Sequence, residues 1–166
     1  MIVVGIDPGG RNTGAVVRQG ETLLAWQLIV RRPGSEKVDG TYLRNVLGGV
    51  RRIIGDAGID PADADAYEVA VETVAYWPEP RGSKVRRNQQ HLYGTAMVLG
   101  AVLARWPRAL VVDSGRGVAN YHPQSYPEQI RPPVNGAGKD RLNHVRAAWD
   151  HSHAGETLAH VRNRSG

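Results

Sequence analysis

At 166 residues, with no cysteine and a formal net charge of +5, the chain excludes disulfide scaffolds, thiolate metal sites and cysteine nucleophiles. Its hydrophobic fraction of 41% is spread in short runs, which suits a single α/β domain over 1–166 rather than a disordered, fibrous or repeat protein. The apolar opening is broken at Asp7, too early for a secretory signal, and no later run approaches membrane-spanning length, so a cytoplasmic protein without a membrane partner is expected.

Ile2 to Ile6 is a short β-branched run that reads as a strand buried on both faces, and Asp7-Pro8-Gly9-Gly10 ends it as a turn. Thr13 to Val17 and Leu23 to Val30 read as two further strands around the turn Gln19-Gly20-Glu21, giving an antiparallel opening. Polar 31–40, with Pro33 and Gly34, is a loop. From Thr41 to Ala57 the apolar residues Leu43, Val46, Leu47, Val50, Ile53 and Ile54 follow helical spacing. Tyr67 to Glu72 is a fourth strand, and Pro78, Pro80 and Gly82 prevent its continuation. A second helix is predicted over about Arg87 to Arg105, and a fifth strand over Ala109 to Asp113. Ser114 to Gly138 has no clear periodicity and reads as a long loop of the kind that is usually functional or mobile. Lys139 to about Val161 reads as a terminal helix. The order is that of a ribonuclease H-like core, a mixed five-stranded sheet with helices on both faces.

Two acidic residues fall at the carboxyl ends of apolar strands, Asp7 and Glu72. Taken singly, the first fits an ordinary Asp-Pro turn and the second a satisfied strand-end carboxylate. If their strands are neighbours, both enter one crevice, where like charges repel unless a divalent cation lies between them. Oxygen donors without thiolates favour Mg2+ or Mn2+, and a pair of ions would suit phosphodiester hydrolysis. A third ligand is expected from the last helix. One face offers Asn143, Ala147 and Asp150, and the adjacent face Asp140, His144, Ala148 and His151. Asp150 is the expected third carboxylate, His144 a fourth ligand or proton carrier, and His151 and His153 a solvated polar face.

Val4-Gly5-Ile6 followed by Asp7-Pro8-Gly9-Gly10-Arg11-Asn12-Thr13-Gly14 closely resembles the opening motif of the RuvC-type Holliday-junction resolvases. Ala70-Val71-Glu72-Thr73-Val74 is similar to that family's second motif, and Leu92-Tyr93-Gly94 with Gly100-Ala101-Val102 to its following helix. Asn135 to Lys139 and His144-Val145-Arg146 resemble the segment before its C-terminal region. The family carries two acidic residues, or a histidine and an aspartate, three positions apart on the last helix. Here His144 is followed at that spacing by Ala147, and Asp150 sits one turn later.

The resemblance implies a metal-dependent endonuclease acting as a homodimer on four-way or other branched DNA, with Asp7, Glu72, Asp150 and His144 at its centre. The divergence and the short tail point to a bacteriophage-type member in a bacterial or phage-infected cell. Arg11, Arg81, Lys84, Arg86, Arg87 and Lys139 become candidate phosphate contacts, and Trp77 a base-stacking residue or simply a packed one. Competing readings are a sugar-kinase-like ATPase, for which the chain is short, a binding module that has lost cleavage, and an RNA-processing nuclease with the same core.

Overall fold

The computed structural model describes residues 1–35, 37–74, 86–113, 125–132 and 142–164, those at 86–91 by backbone alone. Five strands, β1 (Ile2–Asp7), β2 (Asn12–Gln19), β3 (Thr22–Val30), β4 (Glu68–Glu72) and β5 (Leu110–Val112), form one sheet in the order β3-β2-β1-β4-β5. β3, β2 and β1 pair antiparallel, whereas β1 with β4 and β4 with β5 pair parallel, so the sheet is mixed as the element order predicts. The helices are α1 (Gly40–Asp56), α2 (Arg86–Arg105) and α3 (Asn143–Arg164). Within the stretch read as an aperiodic loop, a 3-10 turn forms at Glu128–Ile130, and its Ile130 is fully buried.

Side-chain alternation assigns the two faces of the sheet. Val4, Ile6, Val17, Val69 and Val71 join Val46, Val50, Ile53 and Ile54 of α1 and Val98 and Val102 of α2 in one core. Val3, Val16, Ala70 and Val112 face the other way, beneath α3, where Val16 packs with Val145, Ala148 and Trp149. α1 starts where the Asp39 carboxylate accepts the backbone N–H of Tyr42 at 2.8 Å, a standard N-cap.

α3 lies unusually close to the sheet because β1 and β2 present glycine beneath it. A Cβ at Gly5 would overlap the carbonyl of Ala148, and one at Gly14 the carbonyl of His144. Backbone thus rests directly on backbone along the first two turns of the helix.

β2 runs past its predicted end at Val17 because Arg18, polar enough to suggest a turn, is drawn under α3 and is fully buried. Its guanidinium donates to Ser152 Oγ at 2.6 Å, to the Ser152 carbonyl at 2.9 Å, to the Gly20 carbonyl at 2.6 Å and to Glu156 at 2.7 Å. All three nitrogens of the buried cation are thereby engaged, mostly on the middle of α3, and Glu156 meets the requirement that such a charge be paired.

Gly14→Ala is expected to push α3 off the sheet and lower stability by roughly 1–3 kcal/mol or more, the range for overpacked sites. Gly48, exposed in mid-α1 with open space around it, is the control. Gly48→Ala should raise stability by about 0.5–1 kcal/mol. Urea unfolding of the two variants checks both signs.

Candidate metal centre

The register that aligns Ile6 of β1 with Val71 of β4 sets Asp7 and Glu72 side by side one step further on, at the carboxyl ends of neighbouring parallel strands. Alternation places both on the α3 face, with Val3, Gly5 and Ala70. The chain leaves β1 through Pro8-Gly9, and a buried network fixes that turn. The Gly9 N–H donates to Thr13 Oγ1 at 3.3 Å, while the Tyr42 hydroxyl donates to the Gly9 carbonyl at 2.9 Å and lies 3.0 Å from Thr13 Oγ1. Burial raises the pKa of Tyr42 above its ordinary value, so the phenol remains a neutral donor.

α3 brings two imidazoles to these carboxylates. His144, in its first turn, places Nδ1 2.6 Å from Asp7 Oδ2. About two turns later, His151 is only 3% exposed and directs Nε2 to 3.3 Å from Glu72 Oε2. That approach is off the line of a hydrogen bond, and neither ring nitrogen of His151 has a hydrogen-bond partner among the described residues. One ligand atom from each of Asp7, Glu72 and His151 lies within 4.8 Å of the other two.

Asp150 points elsewhere. It stands on the neighbouring face of α3, where its Oδ2 accepts from the Tyr126 hydroxyl at 2.8 Å, and it does not enter the Asp7–Glu72 cluster. The third carboxylate expected there thus lies on the helix face next to the one that meets Asp7 and Glu72. His151, expected to be solvated, lies on the face that meets the carboxylates. Of the remaining sequence candidates, Arg11 is exposed in the turn before β2. Arg86 and Arg87 open α2, described by backbone alone, while Trp77, Arg81, Lys84 and Lys139 lie outside the described residues.

The electrostatics are those of two carboxylates sharing one proton. Burial raises the pKa of Asp7 to about 6, with His144 opposing the rise and Glu72 adding to it. Glu72 is also penalised by burial, but the adjacent His151 imidazole and the bond shared with Asp7 outweigh that, and its pKa falls below the ordinary value. His144 is raised, chiefly by its bond to Asp7. Asp150 is pushed up to about 6 by burial despite the Tyr126 hydroxyl. A partly buried pair of carboxylates with a buried imidazole against it fits a divalent cation, which would neutralise the carboxylates and take up a nitrogen otherwise left without a bond.

RuvC of Thermus thermophilus, solved in complex with a Holliday junction substrate, matches with a TM-score of 0.57 and 18% identity over 96% of both chains. A second Thermus thermophilus RuvC structure matches with a TM-score of 0.54, again at 18% identity over 96% of each chain. The fold is the ribonuclease H-like fold of RuvC. No family model and no curated protein matches the sequence.

The raised pKa of Asp7 carries a stability consequence with a definite sign. Between about pH 4, the unfolded value, and about pH 6, the folded protein holds a proton that the unfolded chain has lost. Metal-free stability therefore falls as pH rises through that window. Asp7→Asn removes the burden and should be more stable than the parent at pH 8 by on the order of 1–3 kcal/mol. The advantage should shrink below pH 4, and chemical denaturation in chelator across this range measures it.

Proposed function

We propose that this chain is a divalent-metal-dependent endonuclease that hydrolyses phosphodiester bonds in branched DNA, with four-way junctions as its leading substrate. The observation that carries the reading is the convergence of Asp7, Glu72 and His151 within 4.8 Å at the carboxyl edge of the sheet. The RuvC fold supports it, since the Thermus thermophilus protein of that fold has been solved with a Holliday junction substrate. On this reading residues 1–166 act as one nuclease domain, paired as a homodimer so that two centres meet opposed strands. The setting is the cytoplasm of a bacterial or phage-infected cell. Among the described residues no helix is long and apolar enough to cross a membrane.

Asp7, Glu72 and His151 are the residues that would hold the cation. Such an ion, Mg2+ or Mn2+, stabilises the charge that develops on a phosphodiester under attack. Asp7 must be ionised to serve as a ligand, as it is above about pH 6, and His144, hydrogen-bonded to it and 30% exposed at its side chain, is placed to relay its proton to solvent below that. Asp150 holds no ion in this scheme. With Tyr126, and with Arg146 donating to the Ile130 carbonyl at 3.0 Å, it fastens the 125–132 segment to α3 beside the centre. Arg11, exposed at the mouth of the same turn as Asp7, is positioned for a phosphate.

Cleavage of a synthetic four-way junction tests the assignment. Asp7→Asn and Glu72→Gln should each slow cleavage by on the order of 10²–10³-fold or more, the loss typical of removing one electrostatic stabiliser. Both should still shift the junction in a gel. Asp150→Asn should cleave at nearly the parental rate. Equal cleavage by the parent and Asp7→Asn would falsify the catalytic assignment, and preference for a matched RNA branch would move the substrate class.

A further inference from the structure

The third side chain of the cluster is a nitrogen donor, and His151 has no structural reason to be buried where it is. The ring is 3% exposed, and both of its nitrogens lack hydrogen-bond partners among the described residues. Burying a polar group unsatisfied is costly. The ring has little freedom to withdraw from that position. The next residue, Ser152, is tied to the buried Arg18 through both Oγ and carbonyl. One turn before it, the Ala148 carbonyl rests on Gly5. Nε2 is thereby held against Glu72 Oε2 on the side where Asp7 also converges. His144 differs in this respect, because its Nδ1 is already engaged by Asp7.

We infer that His151 is a direct nitrogen ligand and that the centre consequently selects a first-row transition dication, Mn2+ among them, over Mg2+. The inference rests on the metal-dependent reading above and deepens it. Mg2+ requires near-ideal octahedral oxygen coordination and gives up its waters reluctantly, so a fixed imidazole beside two carboxylates serves it poorly. Transition ions accept imidazole readily, with affinity rising from Mn2+ along the series. A centre with three carboxylates and no nitrogen would carry no such bias.

Manganese binding to the full chain decides the matter through a readout independent of cleavage. Titration followed by the electron paramagnetic resonance of free Mn2+, repeated with Mg2+ as competitor, gives the affinity ratio. Pulsed measurement on the bound ion detects hyperfine modulation from a coordinated imidazole nitrogen. The parent should bind Mn2+ at least ~10-fold more tightly than Mg2+ and show nitrogen modulation, and His144→Ala should retain it. His151→Gln should lose the modulation and weaken Mn2+ by ~10–100-fold, no less than removal of a partner outside the coordination sphere costs. His151→Asp, which restores a third oxygen donor, should bind Mg2+ while the Mn2+ preference collapses. Thermal melts of both His151 variants establish that they are folded. Bound Mn2+ without nitrogen modulation, or with modulation that persists in His151→Gln, overturns the inference. In that case undiminished junction cleavage in Mg2+ leaves the nuclease reading standing. Failure of the parent to bind either ion overturns both.

Discussion

Helix α3 reaches the carboxylates only because two strands give up their side chains beneath it. Gly5 and Gly14 lie on the face of β1 and β2 that α3 covers, and at each the helix carbonyls of Ala148 and His144 occupy the space a Cβ would need. The same closeness recurs further along, where Gly155 of α3 leaves room for Ala70 of β4. An ordinary helix-on-sheet separation, with side chains interleaved from both sides, would lift His144 and His151 away from Asp7 and Glu72. The short imidazole side chains can touch strand-end carboxylates only from a helix whose backbone sits on the sheet.

Such an arrangement concentrates cost as well as function. Two carboxylates are driven together at the sheet edge, and the rise of the Asp7 pKa to about 6 expresses its burial first and the neighbouring Glu72 second. Arg18 compensates on the same face of the sheet, but at the far end of the β1–β2 ladder, where it pairs with Val3. Its charge is consumed locally by Glu156, Ser152 and the Gly20 carbonyl, and it acts on the centre through the position of α3 rather than through its field. Glu68 and Arg162, also an ion pair, tie the last turn of the helix to the start of β4. The helix is thus fastened by polar contacts at its middle and its end, while its first turns rest on Gly5 and Gly14.

The two strand-end carboxylates were legible in the sequence because strand chemistry is local. An apolar β-branched run that stops at an acidic residue identifies both the strand and the residue at its tip, and Asp7 and Glu72 are each the end of such a run. The face of α3 that meets the carboxylates was not legible in that way. His151 and Asp150 are neighbours in sequence, and the sparse apolar pattern of this helix does not say which of two adjacent polar faces meets the sheet. Gly5 and Gly14, read only as parts of a strand and a motif, held the missing information, since they mark the strip of sheet on which the helix lies. Arg18 and the Thr13–Tyr42 network escaped for a related reason. Each is a polar residue whose partner lies far along the chain, and composition alone assigns such residues to the surface.

The contrast between strand and helix ligands explains how the last helix can depart from the RuvC-like spacing while the fold is kept. Asp7 and Glu72 are set by the hydrogen-bonded register of β1 against β4, and a shift of one residue would turn both side chains to the opposite face. A side chain on α3 obeys a looser rule, because positions 144, 148 and 151 all meet the sheet, and position 147 lies one turn before 151 on a shared side of the helix. Ala147, where the resemblance leads one to expect an acid, can therefore be empty of function if a donor appears one turn later and the carboxylates can still reach it. His151 is such a donor, already within 3.3 Å of Glu72. On the proposed reading, exchanging oxygen for nitrogen at that point leaves the sheet, the helix, Asp7 and Glu72 where they are, and changes only which ions the centre prefers.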